Sequence, residues 1–192
     1  MTRHRDSIVA ARQAPLRARF KRRPTEAMTV KRVRTVADAS ADPLHGRVLA
    51  VDHDGIEWAF GLDAKVGGYD DLPNPGHLLC AALGACLDST LRMIADRLDV
   101  DLRRLQVDVV GDVDVRGCLA MEDTVRPGFD HIVCTVDLEA DPATDPRRMQ
   151  LLLAQAERLC VTLDTLRHGV PVDVSYTHGE GTSNGSGASV AT

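Results

Sequence analysis

Aromatic residues are scarce in this 192-residue chain: one Trp, two Tyr and three Phe, 3% of the total. Platforms for single-stranded nucleic acid stack bases on exposed rings, so composition argues against that class of function. No apolar run reaches the ~18–20 residues that a bilayer requires, and no membrane span is expected. The five cysteines, Cys80, Cys86, Cys118, Cys134 and Cys160, include no CxxC pair. An odd set at these spacings fits neither a small disulfide framework nor a zinc ribbon. The basic arm lacks the apolar stretch of a secretory signal, and none is expected, because Ile8, Val9, Ala10 and Ala11 are hemmed in by Arg5, Asp6 and Arg12. The expected compartment is therefore the cytoplasm, where lasting disulfides are rare and any Cys–Cys pair that matters is transient.

Hydrophobic residues make up 44% of the chain and charged residues 27%, which fits one medium domain with tails. Net charge is unevenly spread. Residues 1–34 hold 11 of the 23 Lys and Arg against two acids, Asp6 and Glu26, whereas the remaining 158 hold 12 basic and 26 acidic side chains. Residues 1–28 are expected to be a basic, flexible arm. Its competing roles are a contact to nucleic acid or a membrane surface, or an arm lying on a partner's acidic surface. Scarce aromatics and an acidic body make nucleic acid the weakest of these. The ordered body is expected over 29–177, and the Gly/Ser-rich segment 178–192 reads as a disordered tail.

Within the body, strands are expected at Thr29–Ala37, Arg47–Val51 and Ile56–Leu62, the last two joined through Asp54-Gly55. Asn74 followed by Pro75 reads as an N-cap with proline at the first helical position. A long, largely apolar helix follows over Gly76–Leu98. Leu105–Arg116 and Asp130–Ala140 alternate as strands, with Gly111 as a bulge. Asp145-Pro146 starts a second helix that ends near Leu159–Cys160. Val161–Val170 reads as irregular, and Pro171–Tyr176 as a last strand. This order is α+β, with long helices packed on mainly antiparallel sheet.

The run Gly67-Gly68, then Pro73-Asn74-Pro75, then Leu78–Ala95 (LLCAALGACLDSTLRMIA) resembles the OsmC/Ohr family. So does the second helix ending in Ala156–Cys160 (AERLC), followed by PVDV. The resemblance implies an intertwined homodimer with a long buried central helix in each subunit and two sites at the interface. It also implies reduction of organic hydroperoxides, and in some members hydrogen peroxide, in oxidative-stress defence. By position Cys86 is the peroxidatic cysteine and Cys160 the resolving one. No bound cofactor is expected; an external dithiol regenerates the enzyme.

The chemistry needs a thiolate that attacks a peroxide oxygen and a second thiol that condenses with the sulfenic acid to a disulfide. It also needs a depressed thiol pKa and an apolar lining for an alkyl substrate. Leu79 and Leu83 are expected to line that pocket with His77 nearby. Cys86 lies 11 residues beyond Pro75. At ~1.5 Å per residue that is about 16 Å, out of reach of the helix dipole unless the helix kinks near Gly84. A side-chain cation is the alternative. The family commonly places a glutamate after the NP pair, an activating arginine earlier, and a proline after the second cysteine. Here Gly76, His77 and Val161 stand at the first and last of these places, and Arg47 and Lys65 are the nearest candidates for the cation. Cys134 reads as core, Cys118 as an exposed loop residue, and Cys80 as turned about 120° away from Cys86. Asp164, Arg167 and His168 follow Cys160 and belong either to the site or to a solvated surface. The alternative function is a catalytically inactive relative that binds a small apolar ligand at the dimer interface.

Overall fold

A computed structural model describes residues 6–36 and 42–177. In chain order its elements are α1 (Ile8–Arg22), β1 (Val33–Thr35), β2 (Gly46–Ala50), β3 (Glu57–Phe60), α2 (Pro75–Arg97) and β4 (Leu102–Val113). There follow α3 (Val115–Cys118), β5 (Phe129–Ala140), α4 (Pro146–Leu159) and α5 (Val161–His168). The tail expected to be disordered, 178–192, lies outside the described residues.

Helix α2 starts where the capping pattern predicts. Asn74 Oδ1 accepts the His77 N–H at 3.0 Å and His77 Nδ1 accepts the Asn74 N–H at 3.3 Å, a reciprocal cap. Leu83, Leu87, Leu91 and Ile94 recur at helical spacing and are buried together with Leu152 and Ala156 of α4. Beneath them β4 and β5 form an antiparallel ribbon in which Leu105 faces Leu138, Val107 faces Val136 and Val109 faces Cys134. These directly opposed pairs supply the sheet side of the core. Gly111 pairs regularly with Ile132, and the bulge falls one step later, between Asp112 and Val113. Glycine is needed at 111 because a Cβ there would sit 2.5 Å from the Phe129 ring. By length and apolarity alone α2 qualifies to cross a bilayer, contrary to the sequence expectation. Its apolarity serves instead to pack against β4, α4 and α5.

Strands β1, β2 and β3 make a separate three-stranded antiparallel sheet. Val33 and Trp58 remain exposed on it, as does Ile56 just before β3. The sheet is tied to the segment before α2 by Gly61 N–H donating to the Pro73 carbonyl at 3.2 Å and by His45, which bridges Asp42 and Asp71. The Gly67-Gly68 pair belongs to this segment. Gly67 takes φ +89°, and a Cβ on Gly68 would lie 2.0 Å from the Leu62 carbonyl oxygen.

Three expectations need correction. Residues 8–22 of the basic arm form a 15-residue helix. Ser7 caps it and donates to Asp96 Oδ2 of α2 at 2.6 Å, and Gln13 reaches Met93. Val161–His168 is helical rather than irregular, with Leu163 turned to the core. Pro171–Tyr176 is not a strand: it has no partner strand among the described residues, and Val172, Val174 and Tyr176 are exposed.

Candidate active site

The two cysteines singled out in the sequence, 74 positions apart, meet in the structure. Helix α2 runs without interruption from Pro75 to Arg97, so Gly84 introduces no kink and the dipole of α2 does not reach Cys86. Another helix does. Cys160 closes α4 through its N–H to the Ala156 carbonyl, and its own carbonyl accepts from Asp164 as the first bond of α5. With extended φ and ψ of −73° and 108°, this one residue ends α4 and is the N-cap of α5. The junction sets the open end of α5 against the flank of α2 that carries Cys86.

Burial pushes the Cys86 thiol up. Hydrogen bonding from the neighbouring Thr162, Cys160 and Val161 outweighs it, and the net direction is down. Cys160 is completely enclosed, at 0% exposure. Burial holds its thiol above the ordinary range and, against the Leu163 N–H, the adjacent Cys86 adds to this. Of the two thiols, Cys86 is thus the easier to ionise and Cys160 the harder. This is the charge distribution needed by an attacking and a resolving cysteine.

The other predicted site residues fall elsewhere. Arg47, on β2, pairs with Glu57 of β3 at 3.2 Å. Lys65 lies in a short turn and shares a groove with His77 and Cys80. Neither is among the leading influences on the Cys86 sulfur, none of which is a charged side chain. His77 is occupied as the reciprocal cap of α2. Leu79 and Leu83 do line an apolar cleft of about 780 Å³ between α2, β5, α4 and α5, but the sulfur facing it is Cys134 and not Cys86. Burial, followed by the neighbouring Cys80, pushes the Cys134 thiol up, so it stays protonated. Cys118 is exposed, as expected. Asp164 pairs with His168 at 3.1 Å and Arg167 with Glu157 at 2.8 Å, the latter two lining the cleft that Cys134 faces. Among the described residues no cluster of His, Cys, Asp and Glu has the arrangement of a metal site.

Sequence reasoning missed Val161 and Thr162. The signal was present: Leu163 and Leu166 at helical spacing after a residue that ends one helix can open another, whose first N–H groups need acceptors.

Comparison with solved structures places this architecture. An OsmC-like protein of Mycoplasma pneumoniae superposes with TM-score 0.58 at 13% identity, over 73% of this chain and 89% of that one. An organic hydroperoxide resistance protein of Legionella pneumophila gives 0.54 at 17%, over 74% and 92%. One from Elizabethkingia anophelis gives 0.50 at 20%, over 75% and 92%. At these identities the likeness is one of fold. No curated protein matches the sequence. The family model described as OsmC-like protein matches residues 68–175, which include both site cysteines and every element from α2 to α5. The chain belongs to the OsmC-like family.

Proposed function

We propose that the protein is a thiol-dependent peroxidase that reduces organic hydroperoxides in oxidative-stress defence, with Cys86 as the attacking and Cys160 as the resolving cysteine. What supports this is the meeting of Cys86 on α2 with the fully enclosed Cys160 at the α4–α5 junction, the first thiol pushed down and the second up. In the first step the Cys86 thiolate attacks the hydroperoxide, the O–O bond breaks, and with one proton the products are an alcohol and Cys86 sulfenic acid. The Cys160 thiol then condenses with the sulfenic acid, releasing water and forming the disulfide. An external dithiol exchanges with that disulfide and returns both thiols.

The working form in this proposal is a cytoplasmic homodimer. Leu79, Ala81, Ala82 and Ala85 of α2 and Val161 of α5 are exposed in the single chain, around a half-buried Cys86. A second subunit on that face encloses the sulfur and supplies the remaining wall of an alkyl pocket.

The test is consumption of cumene hydroperoxide with dithiothreitol as reductant. Turnover is lost in Cys86→Ser, and in Cys160→Ser it stops once Cys86 has been oxidised. Unchanged turnover in both variants overturns the proposal. The second reading, an inactive relative that holds a small apolar ligand, draws on the placement of the 780 Å³ cleft away from Cys86. That reading requires ligand-induced thermal stabilisation with no peroxide consumption.

A further inference from the structure

We infer that the basic helix α1 is a docking surface for a second copy of this chain: its outward stripe of alanines, bordered by arginine and lysine, seats on the acidic outer face of the other copy's β4–β5 ribbon. The inference rests on the homodimer of the proposed function, to which it adds a contact, and takes nothing from the thiol chemistry.

Packing fixes the rotation of α1. Val9, Gln13 and Phe20 share one stripe and are half-buried. The Val9 N–H donates to Asp96 of α2 at 2.8 Å, and Gln13 reaches Met93. On the opposite side Ala11, Ala14 and Ala18, at spacing i, i+3 and i+7, are exposed. Arg17 and Lys21 border that stripe on one flank, and Arg12, Arg19 and Arg22 on the other. Arg19 is paired with Glu26 at 3.3 Å, whereas Arg12, Arg17, Lys21 and Arg22 have no acidic partner among the described residues.

The ribbon offers the complement. Leu105, Val107 and Val109 of β4 pack inward on the core. On the outer face Val110 stands opposite Val133, Asp108 opposite Thr135, and Asp112 opposite His131. Val110 and Val133 are 60% and 43% exposed, an apolar pair that no described element covers. Asp137 and Glu139 extend the acidic side, and Arg104, bonded to Asp137, is the cation among them. Small side chains thus meet an exposed valine pair, with cations around one and carboxylates around the other.

The lengths agree. Arg12 and Arg22 are separated by about 15 Å along α1 at ~1.5 Å per residue, and Asp108 and Asp112 by about 14 Å along β4 at ~3.4 Å per residue. One chain cannot make this contact with itself, because α1 packs on α2 and the outer face of the ribbon points away from α2. Each copy offers one surface of each kind, so a twofold dimer makes the contact twice. The uneven charge of the chain then has a use: the basic arm of one copy meets the acidic body of the other.

Sedimentation velocity of the full-length protein in about 50 mM and about 500 mM NaCl provides the test. R12E/R22E should weaken the dimer about tenfold at the lower salt and little at the higher, because exposed ion pairs are screened. D108K/D112K should do the same. The chain carrying all four substitutions should recover native association, since each reversed helix then meets a reversed ribbon. Circular dichroism controls for unfolding of the variants, and R12Q/R22Q should give a smaller loss of the same sign. A dimer indifferent to salt and to R12E/R22E overturns the inference and leaves the homodimer standing. A native chain that is monomeric throughout overturns both. Loss in R12E/R22E without rescue in the fourfold variant also overturns the inference; steeply salt-dependent binding of a double-stranded DNA oligonucleotide by the native chain would then make α1 a phosphate-binding helix.

Discussion

Cys86 and Cys160 carry the same functional group, and their surroundings divide its chemistry between them. Half-burial alone disfavours a thiolate at Cys86, and hydrogen bonding from Thr162, Cys160 and Val161 reverses the sign. Cys134 shows the outcome without such donors, since burial leaves its thiol protonated beside the apolar cleft. The position of Cys160 depends in turn on its packing. Leu152, two turns earlier on the same face of α4, is 0% exposed and lies in the same core. Leu152→Ala should cost about 2–5 kcal/mol in urea unfolding, because the lost side chain leaves a cavity against α2. It should also slow disulfide formation more than it slows alkylation of Cys86, since it loosens the helix that delivers the second sulfur.

At the scale of elements, the small sheet is fastened by a charge-dependent clamp. His45 Nδ1 lies 2.5 Å from Asp42 and Nε2 lies 2.9 Å from Asp71, in the segment leading to α2. Asp42 and then Asp71 hold the His45 imidazolium above its ordinary range, and His45 holds both carboxyls below theirs. The histidine contribution is fully present below an unfolded value of about 6.5 and fades as pH rises through the raised folded value. The carboxylate contributions are present above about 3.9 and fade as pH falls through the lowered folded values. The sheet should therefore show its greatest amide-exchange protection between these limits, and His45→Gln should flatten the alkaline side of that profile.

Elements built from local signals were legible in the sequence. The Asn74–Pro75 cap, the Leu83–Ile94 periodicity and the alternation of β4 and β5 are each written in neighbouring residues. Pro171–Tyr176 has the alternation of a strand, but a strand also needs a partner edge, which no local pattern supplies. The pair Cys86 and Cys160 was reached through family resemblance, whereas the activating groups were not. Arg47 and Lys65 were sought because a charge was expected, and a hydroxyl with two backbone N–H groups leaves no distinctive residue type to find.

As a whole molecule, the described chain leaves much apolar surface open. The N-terminal half of α2 presents Leu79 and a run of alanines, and the sheet β1–β3 presents Val33, Ile56 and Trp58. Light scattering with size exclusion should give twice the 20.8 kDa of the single chain. The interface should exceed about 1,200 Å². Replacing Ala82 or Ala85 by Glu should shift the equilibrium toward the single chain. In the proposed peroxidase cycle, the seclusion of Cys160 also dictates how the disulfide is reopened. An incoming nucleophile has to approach in line with the S–S bond, and with Cys160 walled in within its own chain the trajectory that remains is the one toward Cys86, from the alkyl pocket. Regeneration in that proposed cycle therefore proceeds through a mixed disulfide at Cys86 of α2, with the Cys160 sulfur as the one that departs.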